Sequence, residues 1–315
     1  MAVFTKLNKN EVEEFINKYE IGRLDDFTEI IEGIENTNYK IICNGVPYIL
    51  TIFEKRVNEN EIPFFIDLKL FLSGNNFKCP QPLKSKNNEI INSIKNKKAV
   101  IISYIHGYKV VLPKIKECYE VGKMIGELHH LSKGFEKKRF NSLEIKELKK
   151  IFHKCLDSQE EELKEIINEL TNEIKFLETA MPKNIPCGII HADLFKDNIF
   201  FSDEKITGVI DFYFSCYYYY IYDISIVIND WCFDNEGKNF NEDFFYSIIE
   251  GYKLSRNLEK AEIEAFNVIL RAASVRILVT RLHDYIFHPN DAIVVKKDPF
   301  QYFNILKWHQ NNRVI

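Results

Sequence analysis

One stretch of the chain, residues 189–214, constrains the fold more than any other. It reads IIHADLFKDNIFFSDEKITGVIDFYF. The apolar runs NIFF and ITGVI predict two short strands, because the turn-like residues SDEK separate them. A hairpin of this kind would bring Asn198, at the start of one strand, close to Asp211, just after the other. Amide and carboxylate oxygens in such proximity suit a hard cation such as Mg²⁺.

The polar residues of this stretch also follow a known spacing. His191, Asp193 and Asn198 match the H-x-D-x-x-x-x-N pattern of kinase catalytic loops, and Asp211 opens an Asp-Phe dipeptide. In that pattern Asp193 orients an acceptor hydroxyl, while Asn198 and Asp211 hold Mg²⁺ against the phosphates of ATP. We expect His191 to brace the loop, and Lys196 either to neutralise the transferring phosphate or to be a solvated lysine. The alternative is a loop whose polar residues merely cap turns.

Composition limits the class of protein. The chain has 315 residues, 46% hydrophobic and 28% charged, which is typical of a globular protein with room for two lobes. Its net charge of −4 argues against nucleic-acid or anionic-membrane partners. Seven cysteines without a C-x-x-C pair predict reduced thiols. The N-terminus lacks the apolar run of a signal peptide and no 18-residue apolar stretch occurs, so we expect a cytoplasmic protein.

The first third of the chain predicts a small α+β lobe with an antiparallel sheet. Asn8 and Glu11 have the spacing of a helix capping box. The dipeptide Asn44-Gly45 lies between two β-rich runs, which favours a hairpin with a type I′ turn. The predicted boundary between this lobe (1–105) and a larger one (106–315) follows residue 105. The predicted strands are 27–31, 39–43, 48–53, 89–95 and 99–105, with a helix over 59–72.

The loop between the first two predicted strands is a candidate phosphate-binding loop, because its backbone N–H groups and small polar side chains could cover phosphates. It contains one glycine, so a plain polar hairpin loop is the alternative. Neither a G-x-x-x-x-G-K-[ST] P-loop nor a G-x-S-x-G hydrolase motif occurs in the chain. The candidate nucleotide-binding residues of this loop are Gly33, Asn36, Thr37 and Asn38.

Beyond residue 106 the periodicity turns helical, which predicts a larger, mainly helical lobe. A charged stretch over 143–180 predicts two helices that separate near Asp157. The remaining predicted helices cover 113–131, 222–233, 241–252 and 260–285.

The segments HADLFKDN, IDFYF and YDISIVINDWCF resemble the aminoglycoside phosphotransferase and choline kinase superfamily. The segments IDFYF and NDWCF and the pattern R-A-A-x-x-R-x-x-x-x-R-L-x-D, within LRAASVRILVTRLHD, are similar to the homoserine kinase branch of that superfamily. The resemblance runs along essentially the whole chain and includes GIENTNY, YILTIFEKR and EIPFF. The resemblance implies a bilobal, protein-kinase-like fold, ATP and Mg²⁺ as cofactors, Asp193 as catalytic base, and Asn198 and Asp211 as metal ligands. It further implies an adenine-binding hinge formed by Ser103, Tyr104 and Ile105.

Two positions depart from the kinase pattern. Thr51, a further candidate nucleotide-binding residue, stands where the third strand of a kinase carries its phosphate-binding lysine, and Tyr213 replaces the glycine of Asp-Phe-Gly. Lys40, Lys55 or Arg56 could substitute for the missing lysine. Thr51 also motivates an alternative outside enzymology, a catalytically silent nucleotide-binding module.

Homoserine as acceptor would need an acid for its ammonium group and a base for its carboxylate. Guanidinium groups match carboxylates with two hydrogen bonds. For the two candidate arginines, Arg276 and Arg281, the alternative is a structural bridge between helices. The alternative acceptors are choline, methylthioribose and an aminoglycoside. The candidate substrate-binding residues are Asp230, Arg276, Arg281 and Asp284.

Overall fold

The computed structural model describes residues 5–31, 36–54, 58–287 and 297–315. These residues form two compact units. The smaller comprises the described chain up to Gly107 together with Thr207–Tyr213. The larger comprises Tyr108–Ile206 and the described residues from Phe214 onward. The boundary predicted after residue 105 lies close to the end of the first segment of the smaller unit.

The smaller unit begins with a helix whose capping box is present as predicted. The Asn8 side chain accepts a hydrogen bond from the Glu11 backbone N–H, and the Glu11 carboxylate accepts one from the Asn8 N–H. The elements of this unit are α1 (Lys9–Ile16), β1 (Leu24–Ile30), β2 (Asn36–Cys43), β3 (Val46–Phe53), α2 (Ile62–Gly74), β4 (Asn92–Ile94) and β5 (Lys97–Ser103).

The five strands form one antiparallel sheet in the order β1-β2-β3-β5-β4. Asn44 and Gly45 connect β2 to β3, and both have a positive φ (47° and 76°), as a type I′ turn requires. The register places Thr51 on β3 opposite Asn38 on β2 and opposite Val100 on β5. The predicted antiparallel sheet and its hairpin are thus confirmed.

The sheet buries one face against α1. Val12, Phe15 and Ile16 of the helix belong to the same apolar cluster as Leu50 and Ile52 of β3. Because side chains alternate along a strand, the residues between and beyond these two on β3 point to the opposite face.

The larger unit is mainly helical, with short strands around its centre. All five predicted helical regions contain helices, and the charged stretch divides in two as expected. One helix near the C-terminus and the strands that flank residues 189–214 were not predicted. The elements are β6 (Tyr108–Lys109), α3 (Ile115–Leu131), α4 (Ile145–His153), α5 (Lys164–Ala180), β7 (Cys187–Ile190), β8 (Ile199–Ser202), β9 (Lys205–Val209, whose last residues belong to the smaller unit), β10 (Cys216–Tyr219), α6 (Tyr220–Trp231), α7 (Glu242–Lys253), α8 (Lys260–Phe287) and α9 (Phe300–Asn311).

Two glycines allow α3 and α7 to approach closely. A Cβ at Gly122 would lie 1.9 Å from the Ile248 carbonyl oxygen, and one at Gly251 would lie 2.1 Å from the Tyr119 oxygen. A larger side chain at either position would therefore force the helices apart. Within the described residues, no helix combines the length and the apolar character needed to span a bilayer.

Candidate active site

The predicted catalytic loop connects β7 to β8 in the larger unit, and its path is unusual at Ala192. This residue has a φ of +64°, in the left-handed region that alanine rarely adopts. Asp223, fully buried in the first turn of α6, accepts hydrogen bonds from the backbone N–H groups of His191 (2.8 Å) and Ala192 (2.6 Å). These two bonds hold the strained backbone in place.

A buried chain of hydrogen bonds fixes Asp223 in turn. His129 Nε2 lies 3.0 Å from the Asp223 carboxylate, and His129 Nδ1 lies 2.9 Å from the Tyr252 hydroxyl. Because that hydroxyl accepts a hydrogen bond from Arg256, its own proton is free to point at His129 Nδ1. His129 is then a neutral imidazole that donates from Nε2, which agrees with a pKa lowered by burial.

Both oxygens of the Asp193 carboxylate are oriented. Arg276 Nη2 lies 3.0 Å from Oδ1, and Asn198 Nδ2 donates to Oδ2 at 3.1 Å. The Asp193 N–H donates to His191 Nδ1 at 3.2 Å, so His191 braces the loop from inside. Burial raises the pKa of Asp193, and the positive charge of Arg276 opposes that rise. The Asp193 carboxylate is therefore held in a fixed geometry. It is more basic than a solvent-exposed aspartate, while Arg276 favours its anionic form.

Arg276 belongs to the loop's support. It is 3% exposed on α8, donates from Nη1 to the Ala192 carbonyl oxygen, and stacks on the Phe214 ring at 4.8 Å. Together with its contact to Asp193, these contacts tie α8 to the catalytic loop. The structure therefore gives Arg276 a positioning role, while its predicted contact with an acceptor stays a prediction.

The two predicted metal ligands offer suitable donor atoms. Asn198 uses its amide nitrogen on the Asp193 carboxylate and carbonyl oxygens, which leaves Oδ1 as the atom it can present to a cation. Asp211, in the smaller unit, lies two residues after the end of β9 and has a φ of +65°. An amide oxygen and a carboxylate oxygen are each donor types that Mg²⁺ accepts, and this ion often takes few protein ligands and completes its shell with phosphate and water. Magnesium binding by these residues stays a prediction.

Lys196 and Asp230 meet through the backbone. The Lys196 N–H donates to Asp230 Oδ2 at 2.8 Å, and burial raises the pKa of Asp230. The Lys196 side chain borders a cavity of about 720 Å³ in the larger unit, which Trp231 and Phe233 also line. Asp230 on α6 thus fixes the loop from below, next to a cavity large enough for a small molecule.

The two remaining candidate substrate-binding residues, Arg281 and Asp284, have different surroundings. Arg281 on α8 donates to the Asp298 carbonyl oxygen (3.1 Å) and to Gln301 Oε1 (2.7 Å), and its guanidinium lies 4.5 Å from the Tyr302 ring centroid. These contacts bridge α8 and α9, as the structural alternative expected. Asp284 has a side chain 58% exposed and lies 3.4 Å from its neighbour His283.

Sequence reasoning missed Tyr302, because α9 was not predicted. Tyr302 is 1% exposed, and its hydroxyl has no hydrogen-bond partner among the described residues. Burial raises its pKa, and the charges of Asp230, Arg281 and Asp193 all act on it. A buried hydroxyl without a partner beside charged groups is a suitable contact for a polar ligand.

The candidate residues after the phosphate loop are engaged in the sheet. Asn36 Oδ1 accepts from the Glu54 N–H (3.4 Å), and the Thr37 hydroxyl donates to Glu54 Oε1 (2.7 Å). The Thr51 hydroxyl donates to Asn38 Oδ1 at 2.7 Å. The side chains thus tie β2 to β3. Gly33, like Lys55 and Arg56, lies outside the described residues.

The predicted adenine hinge begins at Ser103, the last residue of β5. Ser103 exchanges two hydrogen bonds with the Gln81 backbone, each 2.9 Å long. The Tyr104 ring is covered by the Lys40 ammonium at 5.0 Å, and the Ile105 side chain fills the space where a Cβ on Gly208 would clash at 2.7 Å. The structure leaves adenine binding by these three residues as a prediction.

Comparison with known proteins decides the family. The model of the "Phosphotransferase enzyme family" matches residues 26–253. The chain belongs to this family. It is 39% identical over 310 residues to a homoserine kinase of Agrobacterium fabrum, which covers 98% of this chain and 96% of that protein. A homoserine kinase of Rhizobium etli is 37% identical with the same two coverages.

Solved structures agree on the fold. The chain resembles the amicoumacin kinase hAmiN in complex with AMP-PNP, Ca²⁺ and amicoumacin, with a TM-score of 0.71 at 16% identity, covering 98% of this chain and 95% of that one. The predicted kinase-like α+β fold and the family resemblance are therefore confirmed, and the chain is a phosphotransferase.

Proposed function

We propose that this chain transfers the γ-phosphoryl group of ATP to the hydroxyl group of homoserine, giving O-phosphohomoserine and ADP. The observation that carries phosphoryl transfer is the Asp193 carboxylate, oriented by Arg276 and Asn198 inside a loop with the kinase spacing. The choice of acceptor rests on the full-length similarity to homoserine kinases, 39% and 37% identical.

The residues of the loop divide the chemical work. The acceptor oxygen forms a bond to the γ-phosphorus while the bond from that phosphorus to the β,γ-bridging oxygen breaks, and the hydroxyl proton passes to Asp193. Burial makes Asp193 a stronger base, and the positive charge of Arg276 favours its ionised form. Because the transition state is loose, orientation of the hydroxyl by Asp193 matters more than complete proton removal.

In this proposal a metal ion and a lysine neutralise the negative charge of the phosphates. Asn198 and Asp211 would hold Mg²⁺, which when bound neutralises the charge that develops on the transferred group. The Lys196 backbone is fixed by Asp230, and its ammonium group can reach into the adjoining cavity. In this proposal Lys196 supplies a cation from within the catalytic loop.

The acceptor is recognised, in this proposal, by groups on α6, α8 and α9. The Tyr302 hydroxyl, beside the Arg281 guanidinium that bridges α8 and α9, would receive the carboxylate of homoserine, and Asp230 would receive its ammonium group. Their mutual charge interactions and the unpartnered Tyr302 hydroxyl support this arrangement. Arg276 and Asp284 remain candidates, although Arg276 already holds the loop and Asp284 is exposed.

One observation favours a second acceptor class. The cavity beside Lys196 measures about 720 Å³, and its lining includes Asp234, Glu242 and Asp243. A wall with more carboxylates than ammonium groups favours a cationic acceptor, and the volume exceeds what homoserine needs. An amino alcohol or an aminoglycoside is therefore the alternative.

An acceptor screen tests the proposal. Purified protein with Mg²⁺ and ATP would be assayed by coupled ADP release with homoserine, choline, methylthioribose and kanamycin. We expect homoserine alone to stimulate ADP release strongly. Turnover of another acceptor without a response to homoserine would contradict the acceptor assignment, and no turnover of any acceptor would favour the catalytically silent module.

A pair of matched variants tests the acceptor site. Tyr302→Phe removes one buried hydroxyl and should raise the KM for homoserine about 10-fold, as expected for the loss of one hydrogen bond to a charged group. Its control is Tyr246→Phe, because the Tyr246 ring is exposed on α7. An equal KM in wild type and Tyr302→Phe would remove Tyr302 from the acceptor site.

A further inference from the structure

The smaller unit contains a buried cation in an unexpected place. In the protein-kinase template a lysine on the third strand pairs with a glutamate on the neighbouring helix and holds the nucleotide phosphates. Here β3 carries Thr51, and the residue that α2 buries is a lysine, Lys69. The charge stands on the helix instead of the strand. Thr51 is 2% exposed and donates its hydroxyl proton to Asn38.

The position of Lys69 follows from an aromatic cluster. Its Nζ lies 5.2 Å from the Tyr213 ring centroid. That ring packs edge-on against Phe53 of β3 at 5.7 Å and against Phe65 of α2 at 5.5 Å. Phe53 and Thr51 are two residues apart on one strand, so their side chains leave the sheet on the same face. The Lys69 ammonium therefore lies on the face of the sheet toward which Thr51 points.

The Lys69 ammonium is poorly compensated. It is 3% exposed and forms no hydrogen bond or ion pair with any residue that the structure describes. Burial lowers its pKa to about 8, while the charges of Cys79 and Asp211 act in the opposite direction. A buried ammonium without a bonded anion is costly, and anionic ligand oxygens would remove that cost.

Two other lysines of the unit, Lys40 and Lys97, have different partners. The Lys40 ammonium lies over Tyr104, next to the predicted hinge. Lys97 forms an ion pair with Glu54, which Thr5 and Thr37 also contact. Lys69 is therefore, within the described residues of this unit, the buried lysine that adjoins both Tyr213 and the charge of Asp211.

We propose that Lys69 contacts the phosphates of the nucleotide from α2 and so replaces the lysine that kinases carry on the third strand. The proposal rests on the proposed function in one respect, since it takes ATP as the phosphoryl donor. Asp211, two residues before Tyr213, is the carboxylate next to which this ammonium group would meet the phosphates.

Calorimetric titration of ADP and of adenosine, without acceptor or turnover, tests this role. Lys69→Met keeps the length and apolar stem of the side chain and removes its charge. We expect the variant to bind ADP about 10- to 100-fold more weakly, the range for losing one charge-assisted hydrogen bond, and to bind adenosine as wild type does. Its melting temperature should equal or exceed that of wild type, because a buried charge has been removed.

Lys9→Met is the matched control, since it removes a lysine of the same unit that lies on α1 with a side chain 63% exposed. It should leave ADP affinity within about 2-fold of wild type. Unchanged ADP affinity in Lys69→Met would overturn the proposal, and so would equal losses of ADP and adenosine affinity, which would indicate damage to the unit. Weakened ADP binding in a protein that does not phosphorylate homoserine would support Lys69 and contradict the acceptor assignment alone.

Discussion

The catalytic loop of the larger unit follows the kinase template, whereas the region around Thr51 and Lys69 in the smaller unit departs from it. In the loop, Asp223 holds two backbone N–H groups and Arg276 holds both a carbonyl oxygen and the Asp193 carboxylate. Within this loop His191, Asp193 and Asn198 stand at the spacing of the kinase template. In the smaller unit the expected lysine is missing, and a lysine on α2 is buried instead.

The difference reflects what each part must supply. A base must be placed at a defined angle to the reacting oxygen, so the loop backbone itself is held by buried hydrogen bonds from α6 and α8. A phosphate-binding cation only needs to bring a charge to one point in space. A long, flexible lysine can reach that point from a strand or from a helix.

The largest effect should follow from removing the base. Asp193→Asn keeps an oxygen for Arg276 and removes the charge, and we expect kcat to fall about 10²- to 10⁴-fold with little change in melting temperature. Saturating ADP-release kinetics measure it. Asp197→Asn is the control, because this neighbour's side chain is 55% exposed and lies 3.6 Å from Lys297. Near-full activity of Asp193→Asn would remove Asp193 from the mechanism.

Removing the support of the loop should damage stability as well. Asp223→Ala leaves the N–H groups of His191 and Ala192 and the His129 ring without their acceptor, so the free energy of unfolding should fall by about 3 to 5 kcal/mol. Urea unfolding measures the loss. The exposed Asp284→Ala should change it by less than about 0.5 kcal/mol. A similar small change for Asp223→Ala would show that the loop does not depend on α6.

The pH dependence of the larger unit should depend on His309. Its Nε2 lies 2.8 Å from Asn229 Oδ1, its Nδ1 has no partner among the described residues, and burial lowers its pKa to about 3. Since the unfolded chain binds a proton below about pH 6.5 and the folded chain does not, stability falls as pH drops through that value. From pH 7.5 to 5, wild type should lose about 2 kcal/mol more than His309→Gln.

Urea unfolding of both proteins at the two pH values measures that difference. The comparison isolates His309, because His129, whose pKa burial also lowers, is present in both proteins. Parallel pH profiles of wild type and His309→Gln would contradict the assignment.

The smallest effect is expected at the strand position that a kinase gives to lysine. Thr51→Val removes the hydrogen bond to Asn38 and should reduce the free energy of unfolding by about 1 kcal/mol. If Lys69 supplies the phosphate contact, the affinity for ADP should stay within about 2-fold of wild type. A large loss of ADP affinity in Thr51→Val would transfer the nucleotide contact from α2 back to β3.

What could be predicted from sequence follows the same division. The capping box at Asn8, the turn at Asn44-Gly45 and the loop from His191 to Asn198 are local patterns, and the structure contains all three. The role of Asp223 could not be predicted, because its contacts with the loop bridge 31 and 32 positions along the chain. Only the folded position of α6 brings that carboxylate beneath β7.

Two other features, helix α9 and the buried Lys69, were not predicted from the sequence, and the reasons differ. Helix α9 begins without a side-chain cap and buries apolar residues on a weakly patterned face, so no start signal or clear periodicity marked it. Lys69 did leave a signal, a lone lysine in the otherwise apolar IPFFIDLKLFLSG. Because the kinase template carries its lysine on the third strand, the sequence pattern pointed to substitutes near that strand and not to α2.

Phosphorus NMR of the complete reaction tests the central claim most directly. Protein, Mg²⁺, ATP and homoserine are expected to give a new phosphomonoester resonance that grows in step with ADP and is absent without homoserine. Asp193→Asn should delay that resonance by at least about 10²-fold. ADP accompanied by inorganic phosphate, or no phosphomonoester from a protein that binds ADP, would contradict phosphoryl transfer to homoserine.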